Sequence, residues 1–168
     1  MESYVALLRA VNVGGTGKLP MSDLKIMCEE LGFANVRTYI ASGNVVFNSK
    51  LNALKLQTGL EKRLEIYAGK AVGVHIRTAV EMRAVLRANP FPEAAGNRNL
   101  VIFLDTTPSP DAISKAVGIV DEKIALGTRE IYVHYGEGMG QSKLKIPAAK
   151  LGTARNMNTV AKLVEMLS

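Results

Sequence analysis

Three stretches of this chain gather side chains able to hold a negative charge. The first spans residues 9–18, where Arg9, Asn12 and the adjacent glycines Gly14 and Gly15 follow an apolar run. Paired glycines carry no Cβ, so backbone N–H groups there can approach a ligand closely. The second is Arg37-Thr38-Tyr39-Ile40-Ala41-Ser42-Gly43-Asn44. Arg37 offers a planar, permanently charged fork suited to phosphate or carboxylate. Tyr39 adds a ring for stacking and a hydroxyl, and Ser42, Gly43 and Asn44 read as a hairpin turn with short polar arms. The third is the basic tail. Glycines precede Ser142-Lys143, and Arg155, Asn156 and Asn158 precede a helix that carries Lys162. The spacing is not that of a nucleotide-triphosphate loop, but N–H groups at a helix start suit an anion. Each stretch also has a plain structural reading: a connection, an edge-strand charge that discourages aggregation, turn residues bonding their own backbone, and capped helices.

Other chemistry is poorly provided for. Cys28 is the only cysteine, so no internal disulfide forms, and it sits on a predicted helix where a buried thiol is expected. His75 and His134 are the only histidines, with no zinc-like spacing, and neither adjoins a serine that it could activate. Catalytic residues, cofactor and metal are all without a sequence signal. The formal net charge is +6 and the pI about 9.5, which favours nucleic acid or a phosphorylated small molecule as partner. No apolar run approaches the roughly 20 residues of a membrane helix, and the start lacks a secretory pattern, so the expected compartment is the cytoplasm.

Elements must position these residues. At 168 residues the chain has room for one core or two small subdomains. Apolar periodicity predicts a strand over 4–10, a loop over 11–20 and a helix over 21–31 stopped by Gly32. Hairpin strands follow over 35–41 and 44–48, then a helix over 51–68 with Leu56, Leu60, Leu64 and Tyr67 inward and Gly69 as its stop. A strand over 71–77 leads to Thr78 and Glu81, a capping box. That helix ends before Asn89-Pro90. The first half therefore reads β-α-β-β-α-β, the order of a ferredoxin-like unit. Beyond it, a strand over 100–105, a short helix over 109–117, strands over 122–126 and 130–135 and helices over 144–150 and 156–167 suggest an imperfect βαββα repeat. The expected organisation is α+β: a ferredoxin-like subdomain at 1–90, a linker at 91–98 and a second α+β subdomain at 99–168.

The motifs together resemble a known family. Val5-Ala6-Leu7-Leu8-Arg9-Ala10-Val11-Asn12-Val13-Gly14-Gly15 is similar to its opening signature, Leu31-Gly32-Phe33 and Val36-Arg37-Thr38-Tyr39-Ile40 continue it, and Ser42-Gly43-Asn44-Val45-Val46-Phe47 follows. Gly152-Thr153, Arg155-Asn156 and Asn158-Thr159 resemble its close. The family is the mostly bacterial domain of unknown function 1697. The resemblance implies a ferredoxin-like α+β fold and no established activity. Its usual tryptophan after Arg-Asn is Met157 here, and its usual opening glycine is Ala10. Three functional readings remain open: a non-catalytic binder of an anion, with nucleic acid favoured; an enzyme or sensor for a small phosphorylated metabolite, its pocket lined by Arg9, Asn12, Arg37, Ser42 and Asn44; and a scaffold whose motifs serve folding.

Overall fold

The computed structural model describes residues 1–13, 18–136 and 139–167. Gly14 and Gly15 lie outside the described residues. The chain divides into two units, Met1–Met82 with Leu163–Ser168 and Arg83–Lys162. The proline-bearing stretch 91–98 falls inside the second, where Gly96–Arg98 forms a turn of 3-10 helix leading into a strand.

The first unit is built from β1 (Glu2–Leu8), α1 (Met21–Glu30), β2 (Ala34–Tyr39), β3 (Asn44–Ser49), α2 (Ala53–Ala68) and β4 (Val74–Thr78), followed by the start of α3 (Ala79–Arg87). Its sheet is antiparallel, in the order β2-β3-β1-β4. Helix ends follow local chemistry. Gly32 takes φ 88°, and the N–H groups of Gly32 and Phe33 return to the carbonyls of Glu29 and Cys28 at 2.9 and 3.1 Å. This paired closure satisfies carbonyls that the end of α1 would orphan. Asn52 caps α2 by accepting from the Lys55 N–H at 2.9 Å, and Gly69 ends it at φ 71°. Thr78 and Glu81 exchange both bonds of the expected capping box, at 2.9 and 3.1 Å.

The core of this unit joins Tyr4, Ala6, Leu8, Val45, Phe47 and Ile76 of the sheet to Leu24, Met27 and Cys28 of α1 and Leu56, Leu60 and Leu64 of α2. Phe47 stacks between Tyr4 and Phe33, with ring centroids 5.7 and 4.2 Å away. Burial pushes the Cys28 thiol up to about 12, which keeps it an inert apolar filler. Tyr67 leaves the stripe expected for it and is 42% exposed. Its angle on the helix matches that stripe, but it lies in the last turn of α2, and its hydroxyl makes an exposed bond to Asp23.

The second unit holds β5 (Asn99–Phe103), β6 (Lys123–Leu126), β7 (Glu130–His134), β8 (Thr153–Asn156) and the start of α4 (Met157–Met166). Its antiparallel sheet has the order β6-β7-β5-β8. Ile131, Val133 and Leu104 form a small core packed by Ile102, Ile124, Leu126, Leu144 and Ile146.

Three expectations fail here. Residues 109–117 form turns rather than a helix, with bonds such as Ala112 N–H to Ser109 O at 2.9 Å. Ile113 and Val117 stay exposed and Val117 bridges to Lys145 instead, so no buried face stabilises a helix there. Residues 144–150 hold only a 3-10 turn at Pro147–Ala149, because Pro147 denies an interior N–H and keeps Ile146 extended at φ −116°. Strand β8 was not expected: Thr-Ala-Arg-Asn carries no strand pattern of its own, and its pairing with β5 supplies the order.

Candidate anion site in the first unit

Where β1 ends, Arg9 donates its backbone N–H to Gly73 O at 2.9 Å, tying the strand exit to the segment that enters β4. The C-terminal end of α2 lies beside this junction. Together they enclose a cavity of about 390 Å³. Arg9, Lys18 and Lys70 bring three cations to it, and among the described residues no carboxylate lines it. Val11, Leu19, Leu64 and Val72 supply an apolar wall. Tyr67 stands at the edge with its hydroxyl donated to Asp23 Oδ2 at 3.0 Å. That bond holds the phenol proton and raises the group above its ordinary value. Lys18 and Lys70 are exposed, and among the described residues no ion pair engages either. Like charges that converge repel one another, and an anion between them relieves the repulsion.

Of the expected site residues in this unit, Arg9 lines the cavity and most others build the frame. Asn12 takes φ 56° and donates to Leu19 O and Ala41 O, both at 2.8 Å, while its Oδ1 accepts from the Leu19 N–H at 2.6 Å. It staples the loop to the hairpin, and both of its N–H donors are spent, leaving none for an anion. The hairpin turn occupies residues 40–43, with Tyr39 paired to Asn44, so Asn44 belongs to β3 rather than to the turn. Asn44 is fully buried and donates to Tyr39 O at 2.8 Å and Ser42 Oγ at 2.9 Å. Gly43, at φ 90°, packs so tightly that a Cβ would lie 2.8 Å from Leu8 and Val11. Ser42, Gly43 and Asn44 thus satisfy and seat their own turn. Tyr39 is half-buried, and Arg37 is exposed on the edge strand β2 without a partner among the described residues. Of Arg9, Asn12, Arg37, Ser42 and Asn44, expected around one pocket, Arg9 alone lines this cavity.

The remaining expected residues lie in the second unit. Ser142 donates its hydroxyl to Glu122 Oε2 at 2.5 Å, and Lys143 is exposed beside it. Arg155 is buried on β8, where its Nη1 donates to Thr153 Oγ1 at 2.7 Å and Ala154 O at 2.9 Å. Desolvation brings its guanidinium down to about 10. Asn156 caps α4 by accepting from the Thr159 N–H at 2.9 Å. Asn158 is exposed but packs on Gly96, and Lys162 is half-buried on α4. Met157 is buried, so it fills space in this member. Ala10 takes φ 55°, a conformation natural to glycine, which accounts for the family's usual residue there.

Sequence reasoning missed Lys70 and the role of Tyr67, and used Lys18 only as a segment boundary. The available signal was the Lys70 charge directly after the Gly69 stop, where a chain leaving a helix is exposed.

No curated protein matches the chain. A solved structure, that of the conserved bacterial protein SP0830 from Streptococcus pneumoniae, is similar at 25% identity and a TM-score of 0.83, with 99% of each chain covered. The model of the family described as Protein of unknown function (DUF1697) matches residues 1–132, short of the closing motif at residues 152–159, and the chain belongs to that family.

Proposed function

We propose that the first unit is a ferredoxin-like module that binds a small anionic metabolite, such as a nucleotide or sugar phosphate, in the cavity between the end of β1, the end of α2 and the entry to β4. The ferredoxin-like reading is supported by the βαββαβ order and the strand order β2-β3-β1-β4. The ligand reading rests on one observation: three cations and an apolar wall share a cavity that no carboxylate lines among the described residues. Its volume of about 390 Å³ falls in the range of small-molecule sites. Arg9 grips a phosphate or carboxylate by its fork, Lys18 and Lys70 act as point charges, and Val11, Leu19 and Val72 receive the apolar part. Nucleic acid stays the competing ligand because of the net charge of +6. An open sheet face for stacked bases is missing at the centre of this unit: Val5, Leu7 and Val46 are buried on one side of β1 and β3, and Ala6, Val45 and Phe47 on the other.

Thermal-shift measurements against nucleotides, sugar phosphates, carboxylates and short RNA and DNA test the proposal. A true ligand at 100 times its Kd adds about 2.7 kcal/mol to stability. That gain should vanish in the Arg9→Ala, Lys70→Ala double variant and survive Arg37→Ala. A flat small-molecule panel, or stabilisation by oligonucleotides alone, overturns it.

A further inference from the structure

We propose a second and independent ligand site in the second unit, fitted to a zwitterionic apolar amino acid, with Asp121 meeting its ammonium and Lys143 its carboxylate. A cavity of about 450 Å³ is lined by Gly118, Ile119, Val120, Asp121, Glu122, Tyr135, Gln141, Ser142 and Lys143. Its walls are locked from within. Glu122 accepts from the N–H groups of Val120 and Asp121 at 2.9 and 3.0 Å and from the Ser142 hydroxyl at 2.5 Å. Val117 and Lys145 exchange both backbone bonds at 2.9 Å, and Gly118 sits so close that a Cβ would be 2.3 Å from the Lys143 carbonyl oxygen.

Glu122 and Ser142 are therefore spent on the frame. The Asp121 carboxylate and the Lys143 ammonium are not: among the described residues neither side chain makes a hydrogen bond or an ion pair, with each other or with any neighbour. Opposite charges sharing so small a space gain by closing on one another, unless the frame keeps them apart. Held apart, they offer one end to a cation and the other to an anion. A simple anion would be repelled at the Asp121 end, and a simple cation at the Lys143 end. On the same lining Ile119 and Val120 are 45% and 88% exposed, an apolar surface that a ligand side chain would cover. The uniformly cationic cavity of the first unit has none of this polarity.

Calorimetric titration of the full chain with L-leucine, N-acetyl-L-leucine and L-leucinamide reads both ends. Free leucine should bind one to one, and blocking either end should weaken binding about tenfold or more. In Asp121→Asn the N-acetyl block should cost little further. In Lys143→Met the amide block should cost little further. Both residues are exposed, so both variants fold. The absence of heat and of backbone amide shifts with about 10 mM leucine, or binding unchanged in the double variant, overturns the proposal. Loss of leucine binding in Arg9→Ala would also overturn it, since that residue belongs to the other cavity.

Discussion

The two units carry the same sheet with different dressings. The strand orders β2-β3-β1-β4 and β6-β7-β5-β8 correspond strand for strand. Val5 pairs with Val46 and Arg77, and Val101 pairs with Tyr132 and Arg155. Arg77 and Arg155 therefore occupy equivalent places on the outer strands. Both are buried, and each donates Nη1 to the carbonyl of the preceding residue, at 3.1 and 2.9 Å. Each is followed by a cap, Thr78 or Asn156, and then a helix. The connections differ. The first unit spends ten residues on α1 and sixteen on α2, where the second has turns and short 3-10 pieces. A sheet framework can thus be repeated while its helical cover is not. The chemistry follows the cover. Four residues beyond Val5 stands Arg9, at a cavity walled partly by α2; four beyond Val101 stands Asp105. At the matching strand end a carboxylate thus stands where the first unit has a guanidinium.

The largest expected effect separates the two kinds of cover. Leu60→Ala empties a fully buried site on α2 and should cost about 2–5 kcal/mol. Ile146→Ala, in the matching connection of the second unit and only half-buried, should cost clearly less by chemical denaturation. Equal losses would break the contrast between a helix-packed and a turn-packed connection.

The equivalence of the arginines sharpens the comparison from the other side. Arg77→Met and Arg155→Met should each cost about 1–3 kcal/mol, because each leaves buried acceptors unmet. Similar losses support the repeat. A loss confined to one variant would make the shared register a coincidence.

The smallest effect is confined to the second unit. The hydrogen bonds from Ser142 and the neighbouring backbone N–H groups lower the Glu122 carboxyl from 4.5 to about 2. A carboxyl depressed in the folded state stabilises above its unfolded value and loses that contribution as acid protonates it. The segment that Glu122 holds should therefore loosen between about pH 4.5 and about pH 2. Hydrogen exchange at the Val120 and Asp121 amides reads it, and Glu122→Gln should show looser amides already at neutral pH with no such acid step. Protection that stays constant through this window in the wild type contradicts the assignment.

Legibility tracked how local each determinant is. The Thr78-Glu81 box, the Gly32 and Gly69 stops and the Leu56, Leu60, Leu64 stripe could be read because each lies within a turn or two of chain. Asn12 and Asn44 were read as ligand arms because their bonding partners, Ala41, Leu19 and Tyr39, come from a folded loop and hairpin. Lys70 was overlooked because a charge directly after a helix stop is ordinary by itself; it matters only beside Arg9.

Periodicity and turn chemistry alone determined the α+β class, the first unit's element order and the ends of its helices, since those follow from contacts a few residues apart. The tertiary structure decided that Thr-Ala-Arg-Asn is a strand, that Asn12 and Asn44 are internal braces, and that Arg9, Lys18 and Lys70 meet around one cavity. Strand pairing and side-chain convergence depend on partners tens of residues away, and no local pattern encodes which partner arrives.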